Sequence, residues 1–185
     1  MKRCKICQNR FEPRFSTLER VCWDVECKSS EALQKLRKIK DEEVKFERKR
    51  LKQMKSELMT IKQWVIKAQG SFNKYIRLRD EHKGCVSCGA KLVGSKFDAG
   101  HFYNANNHWG LRFDEFNVHG QCVRCNRDLH GNLLEYRKRI TQRIGPSELD
   151  RLDVEANNTR KFSRDEVINI YTKYKAKCNL YRKID

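Results

Sequence analysis

The sequence lacks the features that mark membrane and secreted proteins. No apolar run in its 185 residues approaches the length of a membrane-spanning helix. The N-terminal stretch MKRCKICQNRF has no apolar segment of the kind that a signal peptide needs. Low-complexity tracts are absent, and no internal repeat is convincing beyond the recurrence of CxxC. We therefore expect one or two small domains with a modest core that are neither secreted nor inserted in a membrane.

Acidic residues are too few to balance the basic ones. The chain has 41 Lys and Arg against 24 Asp and Glu, which gives a formal net charge of +17. A charge of this sign and size predicts a polyanionic partner. Nucleic acid is favoured, because Lys and Arg that neutralise phosphates release counterions and so drive binding. An anionic membrane surface is the weaker alternative, and we expect no membrane partner.

The order of residue types along the chain predicts an α+β protein with four regions. Residues 1–28 form a small cysteine module. Residues 29–80 form a basic helical region, either one long helix or two, and the stretch 28–60 contains no Gly or Pro. Residues 81–145 form a core whose first part, rich in Gly, Cys, His and Asn, predicts short strands. Residues 146–185 form C-terminal helices.

Several local signals place the helices more closely. An apolar stripe predicts a helix that packs on another helix, and its members alternate in steps of three and four: Leu51, Met54, Leu58, Ile61, Val65, Ala68 and Phe72. We predict a helix over 132–144 that ends at Gly145-Pro146 and a short helix near 147–154. Ser163 and Glu166 have the spacing of a capping box, which predicts that the last helix starts there.

The first four cysteines predict a structural zinc site. Cys4, Cys7, Cys22 and Cys27 read as CxxC followed by CxxxxC. Four thiolates satisfy tetrahedral zinc and leave no open position, and a module this small needs the metal in order to fold. Four free cysteines in a disordered tail are the alternative. Neighbouring Arg and Lys residues fit contact with DNA, and docking to a protein fits nearly as well.

The next four cysteines predict a second zinc site with a stronger signal. They form two CxxC knuckles thirty-three residues apart, Cys85, Cys88, Cys122 and Cys125. Cysteines of a protein that is not secreted favour metal binding over disulfides. Such a site does no chemistry by itself.

The residues between and after these knuckles have the chemistry for phosphodiester hydrolysis. Asp98 follows an expected strand at Lys96-Phe97, and Asn126 follows the last cysteine directly. Their oxygens suit a hard cation such as Mg²⁺ or Mn²⁺, and His130, one helical turn after Asn126, adds a nitrogen. His101 can take a proton from water, because its unperturbed pKa lies near neutrality.

This stretch resembles the HNH, or ββα-metal, nuclease motif. In that family a His ends the first strand, an Asn lies in the loop to the second, and a metal ligand opens the following helix. His101, Asn117 and either Asn126 or His130 occupy these places in order. The resemblance implies that His101 is the general base and that Asn117 pins the loop.

Two further features belong to this resemblance. An Asn directly after the second CxxC is similar to the active site of the phage Holliday-junction resolvase endonuclease VII, which zinc knuckles also frame. The chain departs from many HNH enzymes in one respect, because they place an Asp directly before the base. Here that position is Gly100 and the Asp is Asp98. Asp98 then reaches the cation by a different turn, or His101 is itself a ligand.

Over almost its full length the chain resembles the lambdoid phage NinG/Rap recombination endonucleases. The segments that carry the resemblance are the N-terminal cysteine module, the basic helix, DAGHF, LRFDEFNVHGQCVRCN and HGNLLEYRKRI. It implies cleavage of branched or partly single-stranded DNA, such as Holliday junctions and D-loops, in the cytoplasm of an infected bacterium. Paired incisions across a junction favour a homodimer.

Most of these candidate residues also have an ordinary structural interpretation. His101 fits a buried histidine bonded to backbone, Asn126 fits a helix cap, and His130 fits an exposed helical residue. Arg112, expected on a strand, fits contact with the scissile phosphate and equally an ion pair with Asp114 or Glu115. A basic run on the long helix fits a solvated face, although the excess of positive charge favours DNA contact; it contains Lys45, Arg48, Lys49 and Arg50.

A protein of another class explains the charge and all eight paired cysteines equally well. It is a zinc-dependent DNA-binding protein without catalysis. Such a protein has no need of Asp98, His101 and Asn126 together, so the fate of these three residues separates the two hypotheses.

Overall fold

The computed structural model describes residues 1–94 and 96–181. The chain forms two compact units, one spanning Met1–Leu58 and the other beginning at Met59. Of the regions predicted from sequence, 81–145 includes one position, Ser95, and 146–185 includes four, 182–185, that lie outside the described residues.

The first unit consists of a small hairpin and one long helix. Strand β1 (Lys2–Arg3) pairs antiparallel with β2 (Arg10–Phe11), and helix α1 spans Val25–Glu57. Asp24 caps α1 by accepting hydrogen bonds from the backbone N–H groups of Glu26 and Cys27. The helix therefore starts four residues earlier than the predicted residue 29. Cys27 lies in its first turn, which accounts for the wide CxxxxC spacing.

The first part of the apolar stripe, at the end of helix α1, is exposed to solvent. Leu51, Met54 and Leu58 are 48, 47 and 81% exposed, so the prediction of a packed seam is wrong for this part of the stripe. The chain leaves the helix after Glu57, and Thr60 caps the next helix in a capping box with Gln63. The Thr60 side chain accepts a hydrogen bond from the backbone N–H of Gln63 in the first turn of this next helix, and such a cap favours a break between the two helices.

The second unit is built on the packing of two helices. Helix α2 spans Ile61–Asp80 and packs against α5, which spans Arg164–Tyr181. The predicted seam is confirmed here, because Val65, Ala68 and Phe72 are buried in the core between them. The capping box of α5 is confirmed by two hydrogen bonds between Ser163 and Glu166, at 2.8 and 3.2 Å. None of the helices in the described part of the chain is long and apolar enough to cross a membrane.

A two-stranded hairpin lies against α2 and carries the central motifs. Strand β3 (Phe97–His101) pairs antiparallel with β4 (Val118–Cys122), with His101 opposite Val118 and Phe97 opposite Cys122. The strand predicted at Lys96-Phe97 thus extends to His101. A loop with a 3₁₀ turn at Trp109–Leu111 joins the strands. The prediction that Arg112 lies on a strand is therefore wrong, because it follows this turn directly.

The segment between β4 and the helix predicted over 132–144 is not a continuous helix, so His130 does not follow Asn126 by one regular helical turn. A π-helical turn spans Arg124–Asp128, and helix α3 starts only at Leu133 and ends at Ile144. His130 and Asn132 lie in the left-handed region with φ of 48 and 44°, which stops a right-handed helix between the two segments. The remaining predictions for this region are confirmed, because Gly145 ends α3 and helix α4 spans Pro146–Glu155.

Candidate functional site

Both groups of four cysteines have the geometry of a tetrahedral metal site. Within each group the four Sγ atoms lie within 4.8 Å of one another. The Sγ atoms of Cys7 and Cys22 are 3.7 Å apart, and those of Cys88 and Cys122 are 3.8 Å apart. Tetrahedral zinc with Zn–S bonds near 2.3 Å places its sulfurs about 3.8 Å apart, whereas a disulfide joins them at about 2 Å. Each group can therefore hold one zinc ion.

Backbone N–H groups prepare these cysteines to bind a cation. The N–H of Cys122 donates to Sγ of Cys85 at 3.4 Å. Burial opposes ionisation of Cys85, but the backbone donors, that of Cys122 first, outweigh it and lower the pKa to about 7. The same competition lowers the pKa of Cys4 to about 6. Zinc binds thiolates, so these residues are the natural first ligands of each site.

The central cysteine cluster ties the two ends of the hairpin together. Cys85 and Cys88 precede β3, Cys122 ends β4, and Cys125 lies in the π-helical turn. A metal bound to all four would hold this turn against the hairpin. The turn carries Asn126, whose side chain reaches Asp98 near the start of β3.

The hydrogen bond of His101 determines which of its ring nitrogens is basic. Its Nε2 lies 3.1 Å from the backbone carbonyl oxygen of Arg112. Contact with a carbonyl requires a proton on Nε2, so the neutral ring has its lone pair on Nδ1. Burial lowers the pKa of His101, and the carbonyl of Arg112 offsets this only in part. The imidazole is therefore neutral near pH 7, the form in which it can accept a proton.

Asn117 holds the loop that supplies this carbonyl. Its side chain is fully buried, its Nδ2 donates to the carbonyls of Tyr103 and Leu111 at 3.0 Å, and its Oδ1 accepts from the N–H of Tyr103 at 2.8 Å. The three hydrogen bonds close the segment 103–111 on itself. They place Asn117 in a loop-pinning position and not in contact with solvent.

One cavity brings together three of the predicted site residues. It has a volume of about 860 Å³, and His101, Asn126 and His130 all line it. Tyr103, Asn104, Asn106 and Arg137 are among its other walls. His101 enters from the end of β3, while Asn126 and His130 enter from the turn after β4. Residues twenty-five or more positions apart in the sequence thus face one space.

Asp98 lies in a different environment from the one predicted. Successive side chains of a strand point to opposite faces, so Asp98 and His101 lie on opposite sides of β3. The Asp98 carboxylate accepts from Nε and Nη2 of Arg127 at 2.8 and 2.9 Å and from Nδ2 of Asn126 at 3.0 Å. The hydrogen bond from Arg127 holds the pKa of Asp98 below its usual value. Asp98 therefore orients the Asn126 amide, whose Oδ1 is turned away from it.

The position of Asn126 excludes the alternative that it caps a helix. It lies inside the turn Arg124–Asp128, and the residue that precedes α3 is Asn132. Gly100, which departs from the common HNH pattern, also has a local reason. A Cβ atom at Gly100 would lie 2.2 Å from Oε1 of the buried Gln121, so a larger residue before His101 would require the Gln121 side chain to shift.

Arg112 has no carboxylate partner among the described residues. Its guanidinium donates to the amide oxygens of Gln69 and Asn106 at 3.1 and 3.0 Å and lies 4.6 Å from the ring centre of Trp109. The predicted ion pair with Asp114 or Glu115 is wrong, because these residues pair with other cations, Arg151 and Lys177. Arg112 therefore carries a positive charge that neutral groups hold in place.

A buried charge network, which the sequence analysis does not predict, supports the hairpin. Asp80 is fully buried and accepts hydrogen bonds from Arg79 at 2.7 Å and from the N–H of Gly120 at 2.8 Å. His119 lies beside the same carboxylate, with Nδ1 3.7 Å away. The signal was weak but present: Asp80 continues the spacing of the buried residues Phe72 and Ile76 along α2. The network attaches β4 to α2.

The basic run of α1 belongs to the first unit and faces solvent. Arg50 pairs with Glu47 at 3.6 Å, and both side chains are more than half exposed. Its other predicted DNA-binding residues are also exposed: Lys45, Arg48 and Lys49.

Comparison with known proteins places the chain in a family. The family model described as "Bacteriophage Lambda NinG protein" matches residues 1–184. The chain is 35% identical to "Protein ninG" of Escherichia phage 933W over 188 aligned residues, which cover 95% of this chain and 91% of the relative. It is 33% identical to the proteins of the same name from Salmonella phage P22 and Escherichia phage lambda, with the same coverage of both chains. No solved structure matches the chain.

Proposed function

Because the chain belongs to the bacteriophage lambda NinG protein family, we propose that it is a metal-dependent endonuclease of the HNH type that cleaves branched DNA. The observation that carries the proposal is the state of His101. It is a half-buried imidazole whose lowered pKa favours the neutral form, its Nε2 is bound to a backbone carbonyl, and it faces a cavity that it shares with Asn126 and His130. A histidine held in this way can accept a proton at Nδ1, and proton transfer is a role that a nuclease needs and a protein that only binds DNA does not.

The order of elements supports the same proposal. Two antiparallel strands, β3 and β4, precede a turn and helix α3, and the candidate base ends the first strand. The zinc clusters then serve as structural sites, because four thiolates leave no position for substrate.

The residues around the cavity suit a hard cation in addition to the two zinc ions. Asn126 offers an amide oxygen and His130 a ring nitrogen, and Mg²⁺ commonly binds through one or two protein ligands together with substrate phosphates. Such a cation, when bound, would stabilise charge on the phosphate and on its leaving oxygen. Asp98 can add a carboxylate oxygen only if Arg127 moves away, which is open to it because that side chain is 64% exposed.

The chain's own residues account for the remaining steps of hydrolysis. His101 accepts a proton from water at Nδ1 as the water oxygen attacks the phosphorus atom, the bond from phosphorus to the leaving oxygen breaks, and that oxygen takes a proton from solvent. Asn117 keeps the Arg112 carbonyl in place and so keeps the imidazole in its basic orientation. The Arg112 guanidinium contacts the scissile phosphate beside Asn106, which lines the cavity.

Binding to DNA follows from the charge of the chain. The net charge of +17 favours contact with the phosphate backbone, and the exposed run Lys45, Arg48, Lys49 and Arg50 supplies part of it. We propose Holliday junctions and D-loops of phage recombination as substrates, in the cytoplasm of the infected bacterium. A homodimer would allow paired incisions across a junction.

Cleavage of a panel of DNAs tests the proposal. The zinc-loaded full chain is incubated with linear, flapped, D-loop and four-way DNAs, with Mg²⁺, with Mn²⁺ and with neither. We expect metal-dependent cuts at the branched DNAs. His101→Ala should reduce the rate by about 10²- to 10⁴-fold without weakening binding. His82→Ala, at an exposed position outside the cavity, is the matched control.

Two outcomes would contradict this proposal. A parent protein that binds these DNAs but never cuts them would favour the zinc-dependent DNA-binding protein. Equal rates for the parent and His101→Ala would exclude the mechanism.

A further inference from the structure

A second cavity lies beside the one that contains His101. It has a volume of about 540 Å³ and is bounded by the start of α2, the 3₁₀ turn and the loop between α4 and α5. Asn107 lines both cavities, so the two spaces adjoin at this residue. The volume lies in the range of about 300–1,000 Å³ that small-molecule sites occupy.

The walls of this second cavity combine a flat aromatic surface with amide groups. Trp109 is 39% exposed and Ile61 is 42% exposed, while Phe162 is buried behind them. Polar side chains complete the wall, and they are Asn107, Asn157, Asn158 and Thr159. An apolar slot with donors and acceptors on one side suits a planar heterocycle, which needs stacking on its face and hydrogen bonds at its edge.

Three cationic side chains lie at or beside the cavity. Arg112 lies over the Trp109 ring, 4.6 Å from its centre. Arg160 and Lys161 line the cavity itself, and Arg160 pairs with Glu166 at 2.9 Å. A planar group joined to phosphates therefore has a complementary charge pattern here, whereas an apolar peptide segment would gain nothing from these cations.

We propose that this second cavity binds one unpaired nucleobase of the DNA, stacked on Trp109, next to the phosphodiester at His101. The inference rests on the proposed function for its substrate, since an unpaired base is what a branch point offers and a continuous duplex does not. Stacking on an aromatic side chain tolerates any base, so the site would recognise the branch and not the sequence.

Binding measurements test this proposal without cleavage. The zinc-loaded full chain is titrated, without added Mg²⁺ or Mn²⁺ and at one fixed salt concentration, into two labelled DNAs. One is a continuous duplex and the other carries a short unpaired segment. A 2-aminopurine in that segment reports stacking through loss of its fluorescence.

We expect Trp109→Ala to weaken binding of the unpaired DNA about ten-fold and to abolish the fluorescence loss, since base stacking has this size. Binding of the duplex should change less than two-fold. Trp109→Phe keeps an aromatic face and should retain most of the affinity. Phe116→Ala is the matched control, because Phe116 is 44% exposed and lies on a different cavity. Unchanged zinc content and thermal unfolding show that each variant folds.

Three outcomes would overturn the inference. Equal affinity of Trp109→Ala and parent for the unpaired DNA, or an equal loss on both DNAs, excludes a base site at Trp109. A change in oligomeric state in place of DNA affinity would assign the cavity to a second copy of the chain. The two proposals can fail separately. A chain that never cleaves DNA but stacks 2-aminopurine on Trp109 contradicts the nuclease proposal and supports the base site. A chain that cleaves DNA without stacking 2-aminopurine on Trp109 contradicts only the base site.

Discussion

The two cysteine clusters have the same ligands and nearly the same sulfur spacing, but their surroundings differ. The buried residues around the first are only Cys4, Val21 and Cys27. The second adjoins a hairpin that a buried carboxylate and two larger apolar clusters also hold. The comparison indicates that one motif serves two purposes: the first cluster is the core of its module, and the second is a clamp on a unit that has a core of its own.

Breaking the first cluster should have the largest effect on folding. Cys4→Ser removes a buried ligand, and structural zinc in small modules contributes about 10–16 kcal/mol to folding. We expect the chain to lose one of two zinc ions and residues 1–27 to lose hydrogen-exchange protection. The thermal transition of the second unit should persist. A variant that keeps both ions, or one whose whole chain unfolds, would contradict the comparison.

Breaking the second cluster should affect activity more than folding. Cys125→Ser removes a buried ligand from the turn that carries Asn126, so we expect cleavage to fall by at least about 10²-fold as that residue is displaced. The packing of α2 on α5 does not depend on this metal, and most of the helical circular dichroism should remain. Normal cleavage with a single zinc ion bound would show that this cluster is not a clamp.

Within the clamped unit, Asn117 tests the polar part of the support. Asn117→Ala removes the partners of the Tyr103 carbonyl and N–H, while the Leu111 carbonyl keeps the N–H of Asp114 at 3.2 Å. We expect a loss of about 3 kcal/mol in the free energy of unfolding, measured with denaturant, because each buried unsatisfied group costs about 1–3 kcal/mol. Zinc content should stay at two ions. A loss under about 0.5 kcal/mol would mean that metal alone holds this loop.

The pH dependence of cleavage tests whether His101 is the general base, while the zinc content reports on the cysteines. Burial lowers the pKa of His101 from its usual 6.5, and only the neutral ring can accept a proton. Activity should therefore be complete at pH 7 and fall about ten-fold per unit once the pH drops below a midpoint that lies under 6.5. Rates between pH 5 and 8, with zinc content followed in parallel, give this midpoint. A midpoint above 6.5 would indicate a different base.

The smallest effect is expected at the ion pair of Asp98. Arg127→Ala removes an exposed partner, and such pairs contribute little to stability because solvent screens them. If Asp98 can turn to the cation, its release should lower the Mg²⁺ concentration for half-maximal cleavage by about two- to five-fold. Cation titrations of parent and variant measure this shift. A higher Mg²⁺ requirement would instead show that Arg127 maintains the orientation of Asn126.

Much of the local structure could be predicted from short stretches of sequence. The cysteine spacings placed both clusters, and the capping box, the Gly145-Pro146 signal and the 3.6-residue periodicity placed α3, α4 and α5. These features depend on residues a few positions apart, for which backbone geometry leaves few choices. The apolar stripe failed at Leu51 because periodicity shows which residues share a face but not whether another element covers that face.

The arrangement of the candidate site was decided by tertiary structure. The sequence by itself determined that His101, Asn117 and Asn126 lie near a zinc-binding frame. It did not determine that Asp98 faces Arg127, because strand side chains alternate and an offset of three residues puts Asp98 and His101 on opposite faces. Nor did it place the Arg112 carbonyl at His101 or the Asp80 carboxylate at Gly120, since these contacts join distant segments and depend on how the whole unit packs.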